Sequence, residues 1–268
     1  MKRFSIFASA CFFAVLALAG CKADVATPTA TSEFTLHFEN TVGTAPLVLN
    51  AGAYTNANGD AFTVSTFKYY ISNVTLNKAD NSSYTVPNSY FLIDQANAAS
   101  QDVTMKNVPV GDYTSLTFTI GVDSTRTKAG NFSGGVLDAN NNMYWDMNGP
   151  EFINLKMEGS SAQALPRGLV FHIAGYKHAT TNTIRTVTLS FPVGVNLLVR
   201  PDHSPEIHTQ ADVAQMFTGP NVITTPAAPF RNPVNFASVN TVMGGPAAAK
   251  IANNIAIGMF SVEHIHAN

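Results

Sequence analysis

Apolar and polar residues alternate one by one in several separated runs of this chain, and that period constrains the fold more than any other feature. Leu116, Phe118 and Ile120 alternate with Ser115, Thr117 and Thr119. Phe34, Leu36 and Phe38 alternate with Thr35 and His37 between Glu33 and Glu39, and Phe67, Tyr69 and Ile71 do so within the long run Phe62 to Leu76. A period of two sends successive side chains to opposite faces of an extended strand, so each run reads as a strand with one buried face. Further β-like runs are Tyr90 to Asp94, Val103 to Met105, Tyr113 to Val122, Glu151 to Glu158, Gly168 to Gly175, Ile184 to Phe191, Val195 to Val199 and Met259 to His266. Val108-Pro109-Val110-Gly111-Asp112 is a turn between two of them, because Pro presets φ and Gly permits a positive one. Short strands separated by Gly, Asn and Pro turns predict an all-β fold: an antiparallel two-sheet β-sandwich, Greek-key-like, with long loops. Two short helices are expected in the last third. One starts at Thr209-Gln-Ala-Asp and runs to Phe217; the other covers Ala247 to Ile257, with Pro246 at its first position. Gly219 to Asn240 reads as an extended loop.

Residues 1–20 have the form of an export signal, with Lys2 and Arg3 ahead of an apolar run from Ile6 to Ala19 that is too short for a mature spanning helix. Leu18-Ala19-Gly20-Cys21 has the form of a lipobox, which makes Cys21 the expected lipidated first residue of the mature chain and the membrane its partner. Residues 21–32 form a small, polar tether and residues 33–268 a single β-sandwich domain. The other cysteine, Cys11, lies inside the signal. The mature chain therefore lacks a thiol for a disulfide, for thiolate zinc or for cysteine nucleophilic catalysis. A domain of this length can build a sufficient core without disulfides. The net charge of −2 and the charged fraction of 12% offer no broad basic surface, so nucleic acid is not an expected partner. Location at the cell envelope follows, on either the periplasmic or the cell-surface face of a bacterial membrane.

The segment from Gly121 to Gly159 contains a long loop, rich in Gly, Asn and Asp, that ends in Met143-Tyr144-Trp145 just before the run Glu151 to Glu158 and holds the only tryptophan of the chain. A loop this long is functional or disordered as a rule, and its aromatic residues argue against disorder because they are costly to leave in water. Tyr144 and Trp145 either plug the open end of a sandwich or belong to a binding site. Asp123 beside Ser124 resembles a nucleophile with an acid, but the chain has no Gly-x-Ser-x-Gly elbow, so no catalytic residues and no turnover are expected. Asp123, Ser124 and Asp138 fit a role in holding the loop backbone. Asp138-Ala-Asn-Asn-Asn also concentrates the hard oxygen donors that suit calcium, although without the spacing of an EF-hand loop.

Gly121-Val122-Asp123-Ser124, Gly134 to Asp138, Asn142 to Trp145 and Lys156 to Gly159, in this order and spacing, resemble the MbnP-like family of bacterial periplasmic and lipoprotein copper-binding proteins. The resemblance continues through Lys68 to Asn73, Val108 to Tyr113, Phe171 to Gly175 and Met259 to His266. It implies copper, Cu(I) or Cu(II), as cofactor, with acquisition or handling of copper as the role. In related proteins a tryptophan can be oxidised to kynurenine and help bind copper beside histidines, which implies a tryptophan-modifying oxidase partner. Trp145 matches the first aromatic of that motif, while Met147 stands at the usual second tryptophan and Gly149-Pro150 at the usual Gly-Tyr.

With no thiol available, a copper site must draw on imidazole, thioether, carboxylate or backbone donors. Among the seven histidines, His264 and His266 lie two apart in a strand-like run and so share a face. His172 occupies the family's Phe-His-x-x-Gly position. The expected metal cluster is His172, His264 and His266, with His37 as a fourth candidate and Trp145 as a neighbour or oxidisable ligand. Met143 and Met147 are softer donors that would favour Cu(I). His203 and His208 read as residues of a surface turn. The alternative function is a metal-free module that binds glycan or protein partners through the loop around Tyr144 and Trp145.

Overall fold

A computed structural model describes residues 30–130, 132–146, 149–166, 168–218 and 233–266. The signal, Cys21, Met147 and residues 219–232 of the expected extended loop lie outside the described residues. The strands used below are β1 (Thr31–Val42), β2 (Ala61–Asn77), β3 (Tyr90–Asp94), β4 (Asp102–Pro109), β5 (Ser115–Ile120), β6 (Tyr144–Trp145), β7 (Glu151–Ser160), β8 (Leu169–Ala174), β9 (Arg185–Ser190), β10 (Glu206–Asp212), β11 (Thr241–Met243) and β12 (Phe260–His266).

The all-β sandwich expected from the alternation is what forms. The smaller sheet runs β12-β10-β1, with β4 on the far side of β1; the larger runs β9-β5-β2-β7-β8-β11, with β3 also on β2 and β6 on β7. Two pairings depart from the antiparallel expectation: β1 with β10 and β8 with β11 are parallel. Parallel neighbours need a crossover connection rather than a hairpin, and most of the chain lies between β1 and β10.

The inward rows of both sheets meet in one core. Phe38 of β1, Tyr69 of β2, Phe118 of β5 and Phe260 of β12 are buried against one another, with Phe38 edge-on to the other three at ring separations of 5.9 to 6.4 Å. Phe62, Phe171, Phe217 and Phe236 form a second aromatic group within the same core. Gly159 lets β7 approach β2, since a Cβ there would lie 2.0 Å from the carbonyl oxygen of Thr63.

The long loop after β5 covers the opposite face of the larger sheet. Tyr70 alternates with the core residues Tyr69 and Ile71, and packs with Met143, Phe152 and Ile153 in a separate apolar cluster that Phe132, Tyr144 and Trp145 flank. Helix α1 (Ser124–Ala129) opens this loop, with Asp123 as its cap. The Asp123 carboxylate accepts from the Arg126 N–H, Tyr90 Oη and Asn73 Nδ2, and Asp138 accepts from the N–H groups of Gly134 and Asn140. Both aspartates hold the loop backbone.

The helix expected from Thr209 is instead strand β10 followed by a short 3-10 turn, Val213–Phe217. Ile207, Thr209 and Ala211 are buried while Glu206, His208 and Gln210 face outward, which is a period of two. Asp212, not Thr209, caps the turn, accepting from the Ala214 N–H. Helix α2 (Gly245–Asn254) starts with Pro246 in its first turn as expected, and a π-helical turn, Ile255–Met259, leads into β12. Among the described residues no helix is long and apolar enough to cross a membrane.

Candidate metal centre

The register of the smaller sheet aligns side chains that are far apart in the chain. His264 of β12 pairs with His208 of β10, His208 with His37 of β1, and His37 with Asp102 of β4, so the four stand in one row across four strands. One residue further along each strand, the row Ile265, Ile207, Leu36 and Val103 belongs to the core or packs against it. The pleat therefore sends the histidine row to the outer face. The next outward row brings His266 beside Glu206 and Glu206 beside Thr35.

Within this grid the imidazoles are close enough to act together. His208 and His266 approach Nε2 to Nε2 at 2.7 Å, a hydrogen bond in which one ring's N–H meets the other's lone pair. The His208 ring stacks on His264 at 4.3 Å and lies 4.8 Å from the His37 ring. Glu206 Oε1 is 3.0 Å from His208 Nε2 and Glu206 Oε2 is 3.8 Å from His266 Nε2. Ligand atoms of His208, His264 and His266 all lie within 4.8 Å of one another, as do those of His37, Asp102 and Glu206. His37 Nδ1 meets Asp102 Oδ1 at 2.5 Å, the kind of carboxylate contact that fixes an imidazole's tautomer and orientation.

Burial holds the His208 imidazolium below the usual histidine range, and the neighbouring His264 and His37 rings push it further down. The shift favours the neutral imidazole, the form a metal requires. Three imidazoles without a thiolate suit copper, zinc and nickel, so the donor set fits the copper that the sequence resemblance implies.

His172 is elsewhere. It lies on β8 of the larger sheet, facing away from its core neighbours Phe171 and Ile173, and Nε2 contacts Glu158 Oε1 at 2.7 Å. The Trp145 ring is 5.9 Å from it, and Trp145 Nε1 donates to Glu151 Oε2 at 2.9 Å. A cavity of about 360 Å³ opens beside Trp145, Glu151, His178 and Met243. Gly175 follows β8 at φ +137°, where a Cβ would lie 2.1 Å from the Thr181 carbonyl oxygen. Burial pushes the His172 imidazolium down against the opposing pull of Glu158.

The expected trio of His172, His264 and His266 is accordingly split. His264 and His266 share a face as their spacing predicts, and His37 joins their sheet. His172 and Trp145 form a separate locus on the larger sheet. Met143 is fully buried in the cluster under the loop. His203, exposed and bonded to Asp202, remains in a turn, but His208, read as its companion there, is the centre of the outer-face group. Glu206, His208 and Asp102 are site residues that no sequence motif marks. The alternation in Glu206-Ile-His-Thr-Gln-Ala-Asp212 places two of them on one outward face, and the helix-start pattern at Thr209 masks it.

Fold and site together define a two-sheet β-sandwich whose smaller sheet carries a histidine- and carboxylate-lined outer face. None of the curated proteins matches the chain. The MbnP family matches residues 31–241, and the chain belongs to that family. Among solved structures it is similar to MbnP from Methylosinus trichosporium, with a TM-score of 0.50 and 12% identity over 70% of this chain and 78% of that one, a likeness of fold.

Proposed function

We propose that this protein is a membrane-tethered lipoprotein of the cell envelope that holds copper through His208, His264 and His266 and acts by binding, without turnover. The observation that carries this reading is the convergence of those three imidazoles, from two adjoining strands, with their ligand atoms within 4.8 Å. The absence of thiols from the mature sequence leaves imidazole as the natural copper donor, and the family resemblance supports copper over the other metals that imidazole suits. Trp145 and His172 stand apart from this trio, so oxidation of Trp145 by a partner enzyme would alter the locus on the larger sheet and leave the histidine grid intact.

Metal-free protein loaded with Cu(I) or Cu(II), desalted and submitted to elemental analysis is expected to retain at least one copper per chain. A His264→Ala/His266→Ala double variant should retain none at the trio; retention equal to the wild type would remove these ligands. The tether rests on the leader and lipobox in the sequence. Full-length protein is expected in the membrane fraction and a Cys21→Ser variant in the soluble fraction, and a variant still membrane-bound would refute lipidation at Cys21.

A further inference from the structure

We propose that the outer face holds two metal ions rather than one, the second a zinc-class divalent ion bound by His37, Asp102 and Glu206, with Glu206 bridging the pair. The proposal rests on the copper-binding reading of the imidazole trio and extends it to a neighbouring position.

Glu206 is the link. Its ligand oxygen lies within 4.8 Å of ligand atoms of both His37 and Asp102. Its two oxygens also stand 3.0 Å from His208 and 3.8 Å from His266, both members of the first trio. The two groups are therefore contiguous, and the rings of His37 and His208 are only 4.8 Å apart. A carboxylate has one oxygen for each of two ions, and paired metal centres in proteins place their ions roughly 3.5–4 Å apart.

Charge supports the same arrangement. Two dications at that separation repel each other strongly unless anionic ligands intervene. The imidazole trio carries no negative charge, whereas the second group brings two carboxylates, Asp102 and Glu206. The donor sets also differ in hardness: three imidazoles suit borderline metals, copper among them, and one imidazole with two carboxylates is a harder set that suits zinc, as in the mixed nitrogen and oxygen sites of zinc proteins. Asp102 lies at the end of the histidine row with its side chain 57% exposed, open to an arriving ion.

The test uses full-length protein, first stripped with chelator. Loaded with excess Zn²⁺ or Cu²⁺ and desalted, the wild type is expected to hold two ions per chain and Asp102→Asn one. In the doubly copper-loaded wild type, coupling between close Cu(II) ions should bring the integrated electron paramagnetic resonance intensity well below the total copper; in Asp102→Asn, intensity and copper should agree. One ion in both proteins would overturn the second position while leaving the copper-binding reading in place. Two ions in both, or two uncoupled ions in the wild type, would overturn the assignment to Asp102 and Glu206. No ion in the wild type would overturn the underlying reading as well.

Discussion

His208→Ala is expected to lose the copper held by the imidazole trio, although His208 belongs to no recognisable spacing motif with the other histidines. Its Nε2 is 2.7 Å from that of His266, and its ring stacks on His264 at 4.3 Å. Without it, His264 and His266 remain as a pair with rings 5.6 Å apart, one ligand short of the trio. Losing an outer hydrogen-bond partner of a metal ligand costs about 10–100-fold in affinity, and loss of a central ligand should cost more. His172→Gln should leave copper at the grid unchanged. Copper retention by His208→Ala equal to the wild type, or a loss in His172→Gln, would reject this assignment.

The same variant has a second readout in the metal-free protein. The folded-state pKa values of His208 and His172 are lowered, so the unfolded chain takes up their protons first, near the ordinary histidine pKa of about 6.5. Stability from these groups is complete above that pH and declines as pH falls through it toward the folded values. Melting temperatures measured in chelator should decrease on acidification from pH ~7.5 to ~5.5, and His208→Ala should flatten the decrease. A variant with the unaltered acid slope would count against the crowded-imidazole account of His208.

Phe38→Ala is expected to cost about 3–5 kcal/mol, the usual penalty for truncating a buried phenylalanine. Phe38 is fully buried and edge-on to Tyr69, Phe118 and Phe260, and so joins the smaller sheet to the larger. Against a total stability of about 5–15 kcal/mol for an ordinary domain, the loss is large. Urea unfolding of metal-free protein should show a lower midpoint at an unchanged slope. Saturating copper should recover part of the difference, because a ligand confined to the native state stabilises it by mass action. A change below about 1 kcal/mol would place Phe38 outside the rigid core, as only tolerant sites give so little.

Much of the fold was legible because the physical signal is local. Alternation in Phe34-Thr35-Leu36-His37-Phe38 states that His37 leaves the sheet on the side opposite the phenylalanines. The spacing of His264 and His266 states that these two share a face. Pro246 marked the start of α2 for an equally local reason, its preset φ and missing N–H. At Thr209 the local pattern misled: a hydroxyl followed by a carboxylate resembles a helix cap, but burial of Ile207, Thr209 and Ala211 in the core extends the backbone, and the cap falls to Asp212.

Partnership in the site was decided by tertiary structure. Periodicity specifies the face a side chain occupies, while its neighbours across the sheet depend on strand order and register. β10 lies parallel to β1 and antiparallel to β12, and that arrangement alone brings residues 37, 208 and 264 into one row, with Asp102 at its end. The same packing carries His172 to the other sheet, beside Trp145 and Glu158. Ladder hydrogen bonds and core packing set such a register between segments far apart in the chain, so no pattern within a single segment encodes it.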